Sequence, residues 1–217
     1  MRKIVVGILG GRGMLGSDLV EFLGNDYKMV AIDKDNYDAF RSEKLDIVVN
    51  ANGNSRRFWA NQNPLSDFEA STISVYKSLF DFKFDTYIYI SSSDVYPDHG
   101  DPLKTDENTP LNHARLEPYG LHKRLSEEIV MKNCPRWLIL RSSMVLGRSL
   151  KKGPVYDILN NVPLFITKDT RLQMFTTRAV SEVIAMLIER GAWSQALNMG
   201  GRGAVSFEKA EVKLQQY

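Results

Sequence analysis

The sequence predicts an α/β fold, a doubly wound parallel sheet with helices on both faces. Three observations predict it. Apolar, β-branched runs alternate along the chain with amphipathic helical stretches, the pattern of parallel strands joined by crossover helices. The first run, Ile4-Val5-Val6-Gly7-Ile8-Leu9, is apolar without alternation, as a strand buried on both faces must be. That run leads directly into Gly10, Gly13 and Gly16, where a helix begins.

The elements follow in order. Residues 14–23 read as a helix with the apolar stripe Leu15, Leu19, Val20 and Leu23, closed by Gly24-Asn25-Asp26. Residues 28–33 read as the second strand and 45–50 as the third, around Asp46-Ile47-Val48-Val49. A helix is expected over 66–82, with Phe68, Ile73, Tyr76 and Phe80 among its apolar positions. A strand follows at 87–91. Residues 94–117 are rich in Asp, Pro, His and Asn and read as a long loop, a kind of segment often kept for function. Pro118 suits the first turn of a helix running to about residue 132. A strand at 137–141, a helix at 177–190 and a last strand at 195–199 complete the pattern. The 177–190 helix carries Val180, Val183, Ile184, Leu187 and Ile188 on one face.

Composition bounds the function. With 217 residues and 43% apolar content, the chain suits one domain over 1–217 with a small appended lobe. A net charge of +2 gives no broad electrostatic footprint for nucleic acid, and Arg56-Arg57 and Lys151-Lys152 read as solvated surface. Cys134 is the only cysteine, so no internal disulfide forms and a cytoplasmic setting is expected. His99, His113 and His122 lack metal-ligand spacing. No stretch reaches transmembrane length, and the apolar run after Met1-Arg2-Lys3 is too short for a signal segment.

Two signals point to a nucleotide cofactor. Gly10-Gly11-Arg12-Gly13-Met14-Leu15-Gly16 joins the first strand to the first helix. A tight turn and a close backbone approach there admit no side chain, and the helix N-terminus offers free N–H groups to a pyrophosphate. Asp33 ends the second strand, twenty residues after Gly13. A carboxylate there accepts from an adenosine ribose and repels a 2′-phosphate, which favours NAD over NADP. Arg12 and Lys34 argue for NADP, since either suits a 2′-phosphate. Asn50-Ala51-Asn52-Gly53 ends the third strand beside the same crevice, as a cofactor contact or an ordinary Asn-Gly turn.

Tyr119 and Lys123 stand four residues apart on the 118–132 helix and so share a face. A unit charge about 4 Å from a phenol is worth roughly 4 kcal/mol at an effective dielectric near 20. That is enough to draw a tyrosine pKa from about 10 towards 7 and make it an acid/base. A solvated helix face is the plain alternative for the pair alone. The serines ending the preceding strand, Ser91-Ser92-Ser93, would hold a substrate oxygen against the phenol.

Jointly these segments resemble the extended short-chain dehydrogenase/reductase superfamily, in its NAD-dependent epimerase/dehydratase group. The resemblance rests on Gly10 to Gly16, Asp33, Asn50 to Gly53, Ser91-Ser92-Ser93-Asp94-Val95-Tyr96, Thr105 to Asn112, Tyr119 to Lys123 and Arg141 to Gly147. It implies an NAD(P)-binding Rossmann fold and hydride transfer to and from nicotinamide on a sugar, nucleotide-linked by expectation. It implies Ser92, Tyr119 and Lys123 as the catalytic set, with Tyr119 the acid/base and Lys123 on the nicotinamide ribose. Asp94 fills a slot that is acidic in dehydratases, as a catalytic group or as a local backbone cap. Implied cofactor contacts are Gly10, Arg12, Gly13, Met14, Leu15, Gly16, Asp33, Asn50, Ala51, Asn52, Ser91, Tyr119 and Lys123.

The departures fall on the substrate side. Pro97 and Met144 replace the expected glycine and asparagine, and residues 171–180 match only faintly. Segment 34–45 is too short for the usual extra strand and helix. The substrate lobe is therefore expected to be small, built from parts of 148–170 and 198–217. The resemblance further implies pairing of two copies through 66–82 and 118–132. The alternative function is a cofactor-binding sensor or scaffold of the same fold with reduced catalysis.

Overall fold

The computed structural model of the protein describes residues 2–207 apart from 165 and 168. Its strands are β1 (Val5–Leu9), β2 (Lys28–Ile32), β3 (Ile47–Asn50), β4 (Thr86–Ser92), β5 (Trp137–Ser142), β6 (Met144–Leu146), β7 (Arg171–Leu172), β8 (Met174–Thr176), β9 (Gln195–Met199) and β10 (Val205–Ser206). Its α-helices are α1 (Met14–Leu23), α2 (Tyr37–Phe40), α3 (Arg57–Gln62), α4 (Pro64–Phe68), α5 (Ser74–Asp81), α6 (Pro118–Asn133), α7 (Pro154–Leu159) and α8 (Thr177–Glu189).

Six strands form one sheet in the order β2-β1-β3-β4-β5-β9, with every neighbouring pair parallel. The chain leaves β1 to build β2 on one side, then crosses back to build β3 on the other. That reversal is the switch point at which doubly wound sheets bind ligands, beyond the carboxyl ends of the strands. Segment 34–45 holds only the one-turn α2 and an isolated bridge from Lys44 to Lys83, as its shortness predicted.

Period-two alternation divides the core. Val6 and Ile8, Val49, Ile88 and Ile90, and Leu138 and Leu140 face α1 and α8, where Leu19, Leu23, Val180 and Ile184 meet them. Val48, Tyr87, Tyr89 and Ile139 face the other way, onto Val75 and Val130 from α5 and α6. The stripes read from the sequence on the first and last helices are these buried faces.

The 66–82 segment departs from its expectation. It starts at Pro64, and a π turn over Glu69–Ile73 separates α4 from α5. The extra residue rotates the following turns. Ser71, Thr72, Val75 and Ser78 face inward, while Ile73, Tyr76 and Phe80 are 47%, 45% and 68% exposed. The 94–117 loop contains three short 3-10 turns, at Ser93–Val95, Pro102–Lys104 and His113–Arg115. Of the segments expected to form the substrate lobe, 148–170 holds α7 and 198–217 holds β10, which pairs with β7 just outside them; residues 208–217 lie outside the described residues. No described helix is long and apolar enough to cross a membrane.

Candidate active site

The glycine loop packs against the first turn of α1. Gly10 has φ +77, which favours glycine, and a Cβ on Gly16 would stand 2.1 Å from the Gly10 carbonyl oxygen. Gly13 is the N-cap residue and no side chain caps the helix, so the first-turn N–H groups face outward at its positive end. Met14 and Leu15 form that turn, and Leu15 packs on the core. Asp33 is drawn against the loop: its Oδ2 accepts the Arg12 backbone N–H at 2.7 Å. The Arg12 guanidinium turns to Asp35 at 3.2 Å, and Lys34 is exposed.

The loop after β3 closes the other side of the crevice. The buried Asn50 side chain donates to the Tyr87 hydroxyl at 2.6 Å and accepts from the Asn52 N–H at 2.9 Å. Asn50 thus shapes the turn, leaving the backbone of Ala51 and Asn52 against Gly10. A cavity of about 480 Å³ opens there, lined by Asn52, Gly53, Asn54, Arg56, Trp59, Ala70 and Ser74. Of the implied cofactor contacts, Asn52 alone lines it; the glycine loop and Asp33 stand outside its wall.

Ser92, Asp94, Tyr119 and Lys123 converge beyond β4. Ser92 ends the strand, and α6 packs against the 3-10 turn that follows. Gly120 lets the two meet, since a Cβ there would lie 2.2 Å from the Asp94 carbonyl oxygen. Asn61 of α3 accepts the Tyr119 backbone N–H at 3.1 Å and fixes the start of α6. Ser92 Oγ donates to Asp94 Oδ2 at 3.0 Å and in turn accepts the Asp94 N–H. Asp94 pairs with Arg57 at 3.1 Å, so it joins the serine to a cation as well as ordering local backbone. Ser91 points away and donates to Glu127 at 2.6 Å.

The electrostatics correct one expectation. Burial pushes the Tyr119 phenol well above its ordinary value, the Asp94 carboxylate adds to that, and the Ser92 hydroxyl opposes it. The charges acting most on the phenol after Asp94 are Asp67 and Arg57, so Lys123 does not draw it towards neutrality here. The reason lies in where the lysine goes. Its Nζ donates to the Ile90 carbonyl at 3.2 Å and sits over the Tyr89 ring at 5.1 Å. Burial brings Lys123 down from 10.5 to about 8, opposed by Asp67, Glu127 and Asp94.

Sequence reading missed the groups that support the site. Asp67, Asn54 and Glu127 are a buried or half-buried acid, amide and acid whose partners lie far away in the chain. Arg57, read as surface, is the cation on Asp94. The acid-rich Thr105 to Asn112 run was the one signal among them: Glu107 accepts the Asn198 N–H and ties the loop to β9.

The sequence model of the NAD dependent epimerase/dehydratase family matches residues 6–159. The chain belongs to that family. The match spans the glycine loop, the serine strand and the Tyr119–Lys123 helix. No curated protein matches the chain in sequence. Among solved structures, a dTDP-4-dehydrorhamnose reductase from Clostridium acetobutylicum has a TM-score of 0.82 at 16% identity, over 98% of this chain and 80% of that one. A UDP-N-acetylglucosamine 4-epimerase from Methanobrevibacter ruminantium, in complex with UDP-N-acetylmuramic acid, has a TM-score of 0.81 at 16% identity, over 98% and 81%. An NAD dependent NDP-hexosamine 5,6-dehydratase involved in tunicamycin biosynthesis has a TM-score of 0.85 at 18% identity, over 99% and 81%. At these identities the likeness is one of fold. It places this epimerase/dehydratase family chain in the Rossmann-like α/β architecture that the sequence predicted.

Proposed function

We propose that this family member is an NAD-dependent enzyme that moves hydride to and from a carbinol carbon of a nucleotide-linked sugar. The observation that carries the reading is the convergence of Ser92, Tyr119 and Lys123 beside the switch point. Asp33 accepts through Oδ2 from Arg12, leaving Oδ1 to the ribose hydroxyls. Arg12 is matched by Asp35, which adds negative charge where a 2′-phosphate would sit, so NAD is favoured over NADP. The uncapped turn at Met14, Leu15 and Gly16 would hold the pyrophosphate. A bound nicotinamide supplies the hydride acceptor. Lys123 would hold its ribose, Ser92 would orient the substrate oxygen, and Tyr119 would give or take that oxygen's proton. A small recess of about 40 Å³ beside Asp94 is edged by both signs of charge, Arg57 and Arg115 with Asp94 and Glu117. The solitary, buried Cys134 supports a cytoplasmic setting.

Titration with NADH and NADPH, read by energy transfer from Trp59 in the cavity, tests the cofactor assignment: NADH should bind tighter. Incubation with NAD and a panel of UDP-, dTDP- and GDP-sugars should then show hydride exchange at a sugar carbon. Tight NAD binding with no exchange across the panel would favour the sensor or scaffold reading.

The same family resemblance implies a homodimer, and the outward stripe supports it. Leu65, Ile73, Tyr76 and Phe80 are exposed, with Tyr76 and Phe80 packed edge to face at 5.1 Å. Exposed apolar side chains of this size are commonly part of an interaction surface. Sedimentation velocity should give a dimer that Phe80→Glu dissociates; a monomeric parent rejects the pairing.

A further inference from the structure

We propose that Asp67 is a positioning residue for this chemistry: it is the buried counter-charge of Lys123, and it ties the cofactor-side loop to the helix that carries Tyr119. The inference rests on Lys123 serving the hydride chemistry proposed above.

Asp67 lies in α4 and is fully buried. Its Oδ2 is 2.7 Å from His122 Nδ1, and its Oδ1 accepts from Asn54 Nδ2 at 3.0 Å and Ser71 Oγ at 3.2 Å. Each contact reaches a different part of the site. Asn54 belongs to the loop that lines the cavity, while His122 sits next to Lys123 and one turn after Tyr119. Ser71 is in the π turn, whose widened turn also faces α6. There Thr72 Oγ1 donates to the His122 carbonyl at 3.2 Å, and Ser126 Oγ donates to the Ser71 carbonyl at 3.3 Å. Single π turns inside helices are frequent at functional sites. A buried carboxylate is costly to keep unless it has a purpose or a partner.

The charges around Lys123 single out Asp67. Glu127 and Asp94 also act on the ammonium, and the Tyr89 ring lies beneath it. Tyr119 and His122 flank it on α6. Glu127, however, is neutralised by Arg141 and Arg124, and Asp94 pairs with Arg57, with His99 at 3.6 Å. Among the described residues, the only ion-pair partner of Asp67 is the imidazole of His122. Asp67 is thus the one of the three carboxylates with no arginine on it among the described residues, and it is the largest of the opposing charges on Lys123.

The test is a titration of Lys123 in cofactor-free protein, followed by NMR of its ¹³Cε and assigned with Lys123→Arg. Asp67→Asn should move the midpoint down by about one pH unit, and NADH affinity should fall off correspondingly earlier as pH rises. His122→Gln, which leaves the carboxylate, should keep the midpoint at or above the parent's. If Asp67→Asn does not fold, Asp67→Asn/His122→Gln removes both partners and strands no charge, and should show the same downward shift. An unmoved midpoint in a folded neutral variant, or a drop in His122→Gln, overturns the inference. A Tyr119→Phe protein as active as the parent would instead remove the proposed chemistry and leave the Asp67–Lys123 coupling standing.

Discussion

Tyr119→Phe should lower hydride exchange by about 10²–10⁴-fold, the range a positioned acid/base contributes. NADH affinity should hold, because the ring stays and only the hydroxyl is lost. Stability should change by no more than about 1 kcal/mol, the scale of one net hydrogen bond. The sign of the pH dependence gives a second readout. Burial and then Asp94 raise the folded phenol above its ordinary value of 10.0. A raised acid stabilises the fold fully below the unfolded value and loses that contribution as pH rises beyond it. The Phe variant should therefore lose less stability than the parent above about pH 10 in urea unfolding. The same protonated phenol is ready to donate a proton to a carbonyl, so the cofactor-free site is set as an acid. In the proposed reaction, taking a proton from a carbinol would need added positive charge, which an oxidised nicotinamide would supply. Turnover of the Phe variant at the parent rate would remove Tyr119 from the chemistry.

The fold was legible because its signals are local. The apolar runs at β1, β3 and β5 and the stripes on α1 and α8 are fixed by neighbours within a turn or two. The strand pairs β6–β8 and β7–β10 are only two or three residues long and carry no period to read. The π turn defeated periodicity as well: an extra residue shifts the register, so Ile73, Tyr76 and Phe80 look core-facing by type yet point outward. The Tyr119 and Lys123 positions were readable from spacing, but their electrostatics were not. Those depend on Asp94, Asp67 and Glu127, brought in from the 3-10 turn after β4, α4 and the next turn of α6. Contacts such as His122 with Asp67, 55 residues apart, leave no trace in a single sequence.

Arg141→Met should be the most destabilising of the substitutions considered, by about 3–5 kcal/mol, because it strands a buried charge. Glu127 is fully buried and accepts from Arg141 Nη2 and Arg124 Nη1, each at 2.9 Å, and from Ser91 Oγ at 2.6 Å. Without Arg141 the carboxylate keeps the half-buried Arg124 and one hydroxyl. Replacing both partners, as Glu127→Leu/Arg141→Met, should recover most of the loss in urea unfolding, since no charge is then left alone. The two variants should still share one defect. Arg141 Nη1 also donates to the Tyr96 hydroxyl at 2.7 Å and the Glu107 carbonyl at 3.3 Å. The Tyr96 hydroxyl donates to Asn198 Oδ1 at 2.9 Å, and Asn198 Nδ2 donates to the Thr105 carbonyl at 2.6 Å. Through these bonds Arg141 anchors the loop that begins at Asp94. Limited proteolysis should therefore cut 97–117 faster in both variants, and turnover should fall in both although only one is unstable. If the double variant resists proteolysis as the parent does, Arg141 serves the core alone and the loop is held by Asn198 and Glu107.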